Sequence, residues 1–554
     1  MQKLKKHISS NIELTNILGL CIIFYFIFFH NIWAYPLMDT DETRYVSMAR
    51  DMFNNREFLT LYLNGDFFFE KPPLFFWIES LSFGVLGKIN EFTARFPMAI
   101  LGTIISFSNY YIGKKIISRS YGVISSLILA TSIEFCMLSK LAILDIVVSA
   151  FIALSLNFGL ATFFCRESRK KYYWWLFYTF SAFAVMAKGI PGFVVPFGSL
   201  FFIALLSKKV KDALQPINVI PGLLIFLLIT LPWHILMFKL HNPLFWNEYI
   251  IKHHLSRFLG SEAIDRSQPF YFYITTLLWG FFPWIISCIA VLISKIKKLK
   301  SIVINNNIET KFIFYNIIVV CFTLLFFSSS ETKLITYILP IFPALSFLGG
   351  YIWWNYIEKQ TNAKTINTTN YVIGTTLIII AILGILASIF IPKSLLLDLG
   401  SLRIFSILTA FGCGLALILF TRKKIYIGSF SSLVAFMLLF SAIGTEKIYQ
   451  LDYKFGQYDL MEFAEIAEKE NVSLTTFKFG TKYCLIYYGK MPVTYGPQEG
   501  ITNIRSALGK KDNFVIIKNK HLNELKYKNF DIIKTGRKYS LIDLKKKGTN
   551  KCTN

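Results

Sequence analysis

Charge is what this chain has least of. Only 16% of its 554 residues are Asp, Glu, Lys or Arg, where a soluble domain carries about 25%. The shortage is mostly of acids, with 33 Asp and Glu against 58 Lys and Arg, a net charge of +25. Cysteines are few as well: Cys21, Cys136, Cys165, Cys288, Cys321, Cys413, Cys484 and Cys552 form no CxxC, and only Cys484 and Cys552 lie clearly outside apolar runs. That argues against a disulfide framework or a zinc–thiolate site. No nucleotide-binding motif, internal repeat or low-complexity tract is present. Lack of a repeat, with the charges gathered in turns between apolar runs, counts against a transporter or flippase built from inverted halves.

What fills the chain is hydrocarbon: 54% of residues are hydrophobic and 17% aromatic. Apolar runs near twenty residues recur, long enough to cross a core of about 30 Å. The pattern predicts a polytopic α-helical membrane protein with thirteen spans, at 12–33, 93–113, 121–138, 146–165, 172–187, 190–206, 217–238, 269–294, 311–328, 334–353, 369–391, 402–421 and 425–444. "MQKLKKH" and the run after it resemble a signal peptide, but Asn11–Trp33 is long and lacks a clear small-residue cleavage site, so it reads as a retained first span. With the N-terminus inside, "KLKKH", "GKKIISR", "RESRKK", "SKKVK", "KIKKLK", "EKQTNAK" and "RKK" all fall on the inner side. Excess Lys and Arg on that side is what membrane insertion selects, so the basic balance reflects topology rather than a nucleic-acid partner.

The outer side then receives the first loop (34–92), the turns at Lys140–Asp145 and Lys188, the loop at 239–268, "SSSETK", and everything after about Gly444. The domain reading is a membrane domain, 1–444, carrying juxtamembrane helices in its first outer loop, and an outer α/β domain, 445–554. In the latter, "DLMEFAEIAEKE" reads as an amphipathic helix, and "SLTTFKF", "CLIYYG", "NFVIIKN" and "YSLIDL" read as strands.

The first outer loop concentrates the scarce acids. In "MDTDETRYVSMARDMF", Tyr45, Met48, Ala49, Met52 and Phe53 make one apolar helix face, too short to span. Asp39 or Thr40 is placed as its N-cap, with Asp41 and Glu42 in the first turn. Carboxylates there satisfy free N–H groups and the helix dipole, and for Glu42 that reading weighs as much as a catalytic one. In "FFFEKPPLFFW", Glu70 and Lys71 precede the helix-opening Pro72 and Pro73. Together the segments supply anionic groups, Asp41 and Glu70, and phosphate-binding cations, Arg44 and Lys71. Other outer turns add Asp145, with Lys140 its near cation, then Lys188 in "AKGIPG", His253, His254 and Arg257 in "HHLSRF", and Lys333 and Tyr337 in "TKLITYILP". Singly, a basic residue at a span end is most often a snorkelling anchor.

"DETRY", "EKPPLFFW", "EFTARFP", "AKGIPG" and "KLITYILPIFPAL", in that order over about residues 10–445, resemble the bacterial aminoarabinose transferases of lipid A. That family belongs with the protein O-mannosyltransferases among polyprenyl-phosphate-dependent glycosyltransferases of the GT-C fold. The resemblance implies thirteen membrane helices, a periplasmic α/β domain, and transfer of a sugar from undecaprenyl phosphate to lipid A or another periplasmic acceptor at the inner membrane. It assigns Asp41 as the principal catalytic carboxylate with Glu42 beside it, and Asp145 as the second acid. Lys71, Arg257 and Tyr337, with Arg44 and Lys333, are the donor-phosphate contacts; Glu70 and His254 are the candidate ligands of a divalent metal (Zn, Mg or Mn), the one cofactor implied. Thr40 stands where the family usually has proline before the Asp, and Ile335 where it has proline after "KL"; neither change removes a chemical group. A protein O-glycosyltransferase is the alternative within the class.

The charge pattern predicts that an alkaline phosphatase fused after Gln450 is active and one fused after Arg422 is inactive. The reverse activities would invert the topology.

Overall fold

The computed structural model describes residues 2–256, 268–296, 307–360, 363–390, 400–455, 457–478, 480–495, 513–524 and 530–543. They pack as two compact units, one of Met1–Ile32, Phe69–Ile78 and Arg95–Glu446, the other of Trp33–Phe68, Glu79–Ala94 and Lys447–Asn554. Most of the first outer loop therefore groups with the C-terminal chain, where the sequence had suggested a boundary near 444 alone.

All thirteen expected spans fall on helix. In chain order the helices up to the long loop are α1 (Gln2–Phe24), α2 (Asp41–Asn55), α3 (Leu74–Leu86), α4 (Glu91–Ile116), α5 (Arg119–Ala130), α6 (Ile133–Leu138), α7 (Leu144–Ala161), α8 (Glu167–Lys188), α9 (Pro191–Leu206), α10 (Val210–Ala213) and α11 (Pro216–His241). Beyond it come α12 (Phe272–Gly280), α13 (Ile285–Ile296), α14 (Ile308–Ser328), α15 (Phe342–Glu358), α16 (Ala363–Phe390), α17 (Gly400–Arg422), α18 (Tyr426–Phe455), α19 (Gln457–Glu470) and α20 (Tyr483–Gly489). Among the described residues seven helices are long and apolar enough to cross a membrane, or eight if a bent pair counts as one. The count on that criterion is thus below thirteen: α4 and α8 do not meet it, the run at 121–138 is divided between the short helices α5 and α6, and α9 and the apolar part of α18 fall short of a full crossing. The run at 269–294, expected as one span, is that bent pair: α12 and α13 meet at 120°, around Pro283, whose ring cannot continue a helix. Trp284 fills the break, fully buried, and donates from Nε1 to Thr131 Oγ1 (3.0 Å).

Side-chain hydrogen bonds tie the first unit together where apolar contact alone gives no register in lipid. Asn109 of α4 donates to Ser346 Oγ of α15 (2.6 Å), and Asn157 of α7 donates to Asn109 Oδ1 (2.8 Å) and Ser108 Oγ (2.9 Å). The α8–α9 turn is set by glycine. Gly189 has φ of 79°, and Pro191 opens α9. A Cβ on Gly192 would come within 2.3 Å of the Ala184 backbone. This turn leaves Lys188 as the last residue of α8.

The second unit holds a five-stranded sheet, with strands β3 (Ser473–Phe477), β4 (Val493–Tyr495), β5 (Asn513–Lys518), β6 (Asp531–Thr535) and β7 (Tyr539–Asp543) in the order β4-β3-β5-β7-β6. β3 pairs in parallel with β4 and β5, while β7 is antiparallel to β5 and β6. Leu460, Phe463, Ala464 and Ala467 of α19 pack with Leu474, Ile516 and Leu541 in its core. Expected strands at 473, 513 and 539 and the helix at 459 are present; β4 and β6 were not expected. "CLIYYG" is not a strand but the helix α20.

The reason lies in the first loop. Asp39 Oδ1 accepts the Cys484 N–H at the start of α20 (3.1 Å), and its Oδ2 pairs with Lys482 (2.9 Å). Arg50 Nη1 donates to the Ile486 and Tyr487 carbonyls near the other end (3.2 and 2.7 Å). An acid at a helix N-terminus and a cation at its C-terminus both complement the dipole, so Asp39, just ahead of α2, and Arg50 within it hold a seven-residue helix at both ends. Asp39 is therefore not the N-cap of its own helix; Thr40 takes that position, without a side-chain cap bond. Burial alone would lower the Lys482 ammonium, but the charge and hydrogen bond of Asp39 outweigh it and leave it raised. Ahead of α3, Asn64-Gly65 turns the hairpin of β1 (Tyr62–Leu63) and β2 (Asp66–Phe67) with φ of 56° and 92°. Asn64 then pairs its amide with both the N–H and the C=O of Val493 (2.8 and 2.9 Å).

Removing the acid with Asp39→Ala is expected to cost on the order of 1.5–3 kcal/mol, the worth of a hydrogen bond to a charged group, with Asp39→Asn losing part of that. Thermal unfolding and limited proteolysis of the C-terminal chain measure it. Unchanged behaviour in both variants would mean that the grip on α20 carries no stability.

Candidate functional site

The first unit contains a cavity of about 470 Å³. Its walls are Val148, Ile152, Ile190, Val194, Phe326, Phe327 and Pro340, and its polar groups are Lys71, Asp145, Lys188, His253, Tyr337, Ser149, Ser330, Thr332 and Thr336. Asp145 lies in the first turn of α7, and Lys188 ends α8. They form an ion pair. The Lys188 ammonium also stands 4.3 Å from the centre of the Tyr337 ring, which the 3-10 turn Ile335–Ile341 carries into the cavity. Lys71 is buried at 8% exposure and donates to the Glu70 carbonyl (3.0 Å). The segment before it is anchored by Phe69, whose ring packs edge-on against Phe245 at 5.7 Å and beside His241 at 5.2 Å. His253 Nε2 lies 3.6 Å from Glu248 Oε2.

The first unit thus brings three expected residues, Lys71, Asp145 and Tyr337, to one cavity with Lys188 and His253. Lys188, read from sequence as a snorkelling anchor, is the partner of Asp145; Lys140 instead donates toward Ser441 Oγ and the His30 carbonyl (3.2 and 3.4 Å). The signal was "AKGIPG", in which the glycines set a tight turn beside the lysine. Lys333 is buried, with its ammonium donating to the Ser330 and Gln268 carbonyls (2.6 and 2.8 Å). Arg257 and the side chain of His254 lie outside the described residues. Among the described residues no three His, Cys, Asp or Glu side chains are grouped to hold a metal. The described donors around Glu70 do not by themselves fit a metal site.

The acidic loop belongs to the second unit. Asp41 is exposed at the start of α2. Glu42 is buried and accepts the Met38 N–H at Oε2 (2.9 Å), the helix-start use that its position suggested. The Arg44 guanidinium lies 5.1 Å from the Phe68 ring centre and 5.3 Å from that of Tyr483.

A bundle of apolar helices with a cavity among them, and a small α/β unit, define a multi-pass membrane protein. The crystal structure of ArnT from Cupriavidus metallidurans bound to undecaprenyl phosphate superposes with a TM-score of 0.76 at 17% identity, covering 96% of this chain and 98% of that one. A family described as dolichyl-phosphate-mannose-protein mannosyltransferase matches residues 14–249. An uncharacterized protein of Aquifex aeolicus is 28% identical over 70% of this chain and 74% of its own length. The undecaprenyl phosphate-alpha-4-amino-4-deoxy-L-arabinose arabinosyl transferase of an Enterobacter species is 27% identical over 63% of this chain and 61% of its own. The chain thus shares the fold of ArnT and is similar in sequence, at 27–28% identity, to these relatives.

One acid that sequence reading passed over is Glu79, inside the apolar run "FFWIESL". It is fully buried in the short helix α3, and neither carboxyl oxygen has a hydrogen-bond partner among the described residues. Burial first, and the charge of Glu42 second, push its carboxyl well above the ordinary 4.5. Such a group contributes its stability fully below the unfolded value and loses it as pH rises toward the native one. Each unit of separation is worth about 1.4 kcal/mol above both values. Glu79→Gln should therefore melt higher than the native chain at pH 8 and close to it at pH 4.5. An equal difference at both pH values would contradict a neutral Glu79.

Proposed function

We propose that this chain is a glycosyltransferase that moves a sugar, aminoarabinose or another amino sugar or hexose, from undecaprenyl phosphate to lipid A at the outer face of a bacterial inner membrane. The observation that carries the reading is the cavity: hydrocarbon walls with Lys71, Lys188 and Tyr337 at one place suit a lipid whose only charge is a phosphate. The N-terminus is cytoplasmic and the C-terminal unit periplasmic in this reading, on the strength of the basic inner segments.

In the reaction an oxygen of the acceptor bonds to the sugar C1 as the bond from C1 to the donor phosphate oxygen breaks, and the electron pair leaves with undecaprenyl phosphate. Lys71 and Lys188 stabilise the negative charge that develops there, and the Tyr337 hydroxyl is placed to donate to a phosphate oxygen. Asp145 holds the Lys188 ammonium in place, so it orients a cation that the phosphate then shares. Asp41 is assigned to transfer itself, orienting the acceptor or stabilising positive character at C1. A lipid A phosphate is already ionised and needs no proton removed; a Ser or Thr hydroxyl does. The family match over 14–249 supports that second reading, a protein O-glycosyltransferase. Mass spectrometry of lipid A and of periplasmic proteins from a deletion strain separates the two and names the sugar.

Binding and transfer should separate by residue. Lys71→Ala should weaken undecaprenyl-phosphate binding roughly ten- to hundredfold, from the loss of a charge-assisted hydrogen bond worth about 1.5–3 kcal/mol. Lys71→Arg should keep part of it, since a planar fork replaces a point charge. Asp41→Asn should leave binding near normal and abolish transfer. Equal affinity across the Lys71 series reduces that residue to an interfacial anchor, and an active Asp41→Asn removes Asp41 from the chemistry.

A further inference from the structure

A second cavity, of about 630 Å³, lies in the first unit along the half of α7 and α8 away from Asp145 and Lys188. Its apolar wall is formed by Phe107 of α4, Leu154 and Phe158 of α7, and Phe180 of α8. The aromatic wall is ordered: Phe158 stacks on Phe180 with centroids 5.6 Å apart and on Tyr173 at 6.1 Å. At the rim are Tyr111, Tyr173 and Arg169. The Tyr111 and Tyr173 hydroxyls are 2.9 Å apart. Lys115, one helical turn beyond Tyr111, donates to the Tyr173 hydroxyl and lies 3.4 Å from the Tyr111 hydroxyl.

The charge balance at this rim is one-sided. Glu13 is paired with Lys114 and Arg119. Among the described residues neither Lys115 nor Arg169 has a carboxylate partner, and Ser108, a polar residue of the wall, already accepts a hydrogen bond from Asn157. An interfacial lysine held by two phenol hydroxyls and the face of the Tyr173 ring, 4.2 Å from its centre, next to an exposed arginine and above an aromatic groove, lacks an anion that itself carries a hydrocarbon tail. Free phosphate would satisfy the rim and leave the groove empty; a neutral lipid would do the opposite.

We propose that this groove seats an anionic phospholipid of the leaflet opposite the Lys71 cavity. Its phosphate is held by Lys115, Arg169 and the Tyr173 hydroxyl, and its acyl chain lies along Phe158 and Phe180. The two turns of α8 from Tyr173 to Phe180 offer roughly 11 Å of wall, enough for the first part of one acyl chain. The lipid bridges the inner ends of α4 and α8, and nothing in the assignment depends on the sugar donor or acceptor.

The full chain, purified and stripped of loosely held lipid, would be titrated with phosphatidylglycerol and with phosphatidylcholine and read by native mass spectrometry. Native protein is expected to retain phosphatidylglycerol selectively. Lys115→Gln with Arg169→Gln should reduce that retention roughly tenfold or more, as expected for lost charge-assisted contacts. Tyr173→Phe, which removes one hydroxyl and little packing, should reduce it severalfold, and Lys209→Ala, a charge loss elsewhere, should leave it unchanged. Equal retention by all variants, or equal retention of phosphatidylcholine, overturns the proposal. So does displacement by inorganic phosphate, which would make it a free-anion site, or preferential capture of undecaprenyl phosphate, which would make it a second donor site. Phosphatidylglycerol retention that survives in Lys71→Ala keeps the result independent of the donor cavity.

Discussion

A charge placed against hydrocarbon has to be met by another group of the same chain, because a lone ion at depth costs several kcal/mol. The first unit answers that demand at Asp145 and Lys188. Asp145 opens α7 and Lys188 ends α8, and their ion pair lets both sit beside Val148, Ile190 and Phe327 in one cavity. Without Lys188, Asp145 would be an unpaired acid in an apolar wall. Without Asp145, the ammonium would be free to turn outward to water. The pairing holds a cation in the cavity while limiting the net charge the cavity has to carry. Tyr337 adds a ring face to the same ammonium, a contact worth more when desolvated.

The second unit uses the same rule for a structural end. Asp39 and Arg50 are spent on the two termini of α20, and Gln457 joins the arrangement by donating to the Leu37 carbonyl (2.6 Å) and accepting the Asp39 N–H (2.9 Å). The acid-rich loop therefore does two kinds of work. Asp39 and Glu42 hold backbone N–H groups, and Asp41 is left exposed between them. That division explains why three carboxylates stand together in a chain so short of acids: two are structural, and they set the backbone from which the third projects.

How much of this was legible in the sequence depends on the distance over which each decision is made. Apolar runs near twenty residues and basic inner clusters placed the helices of the first unit, since a bilayer leaves the backbone almost no other way to satisfy its polar groups. The period-two and period-3.6 patterns placed β3, β5, β7 and α19 for equally local reasons. Asn64-Gly65 is a signal of the same local kind, two consecutive left-handed residues that make a tight hairpin turn, although no hairpin was expected there. Lys71, Asp145 and Tyr337 could be picked out as chemically scarce groups at span ends.

Tertiary contact decided the rest. "CLIYYG" is apolar throughout and fits a buried strand or a buried helix equally well by periodicity. It became a helix because Asp39 and Arg50, more than four hundred residues earlier, meet its two ends. Lys188 reads as an anchor until the turn at Gly189 and Gly192 brings it to Asp145 on the neighbouring helix. Residue type and local pattern determined which groups this protein has for chemistry and which segments are helical. Only the packed chain determined which cation neutralises which acid, because that choice is made by side chains distant in sequence meeting where water is excluded.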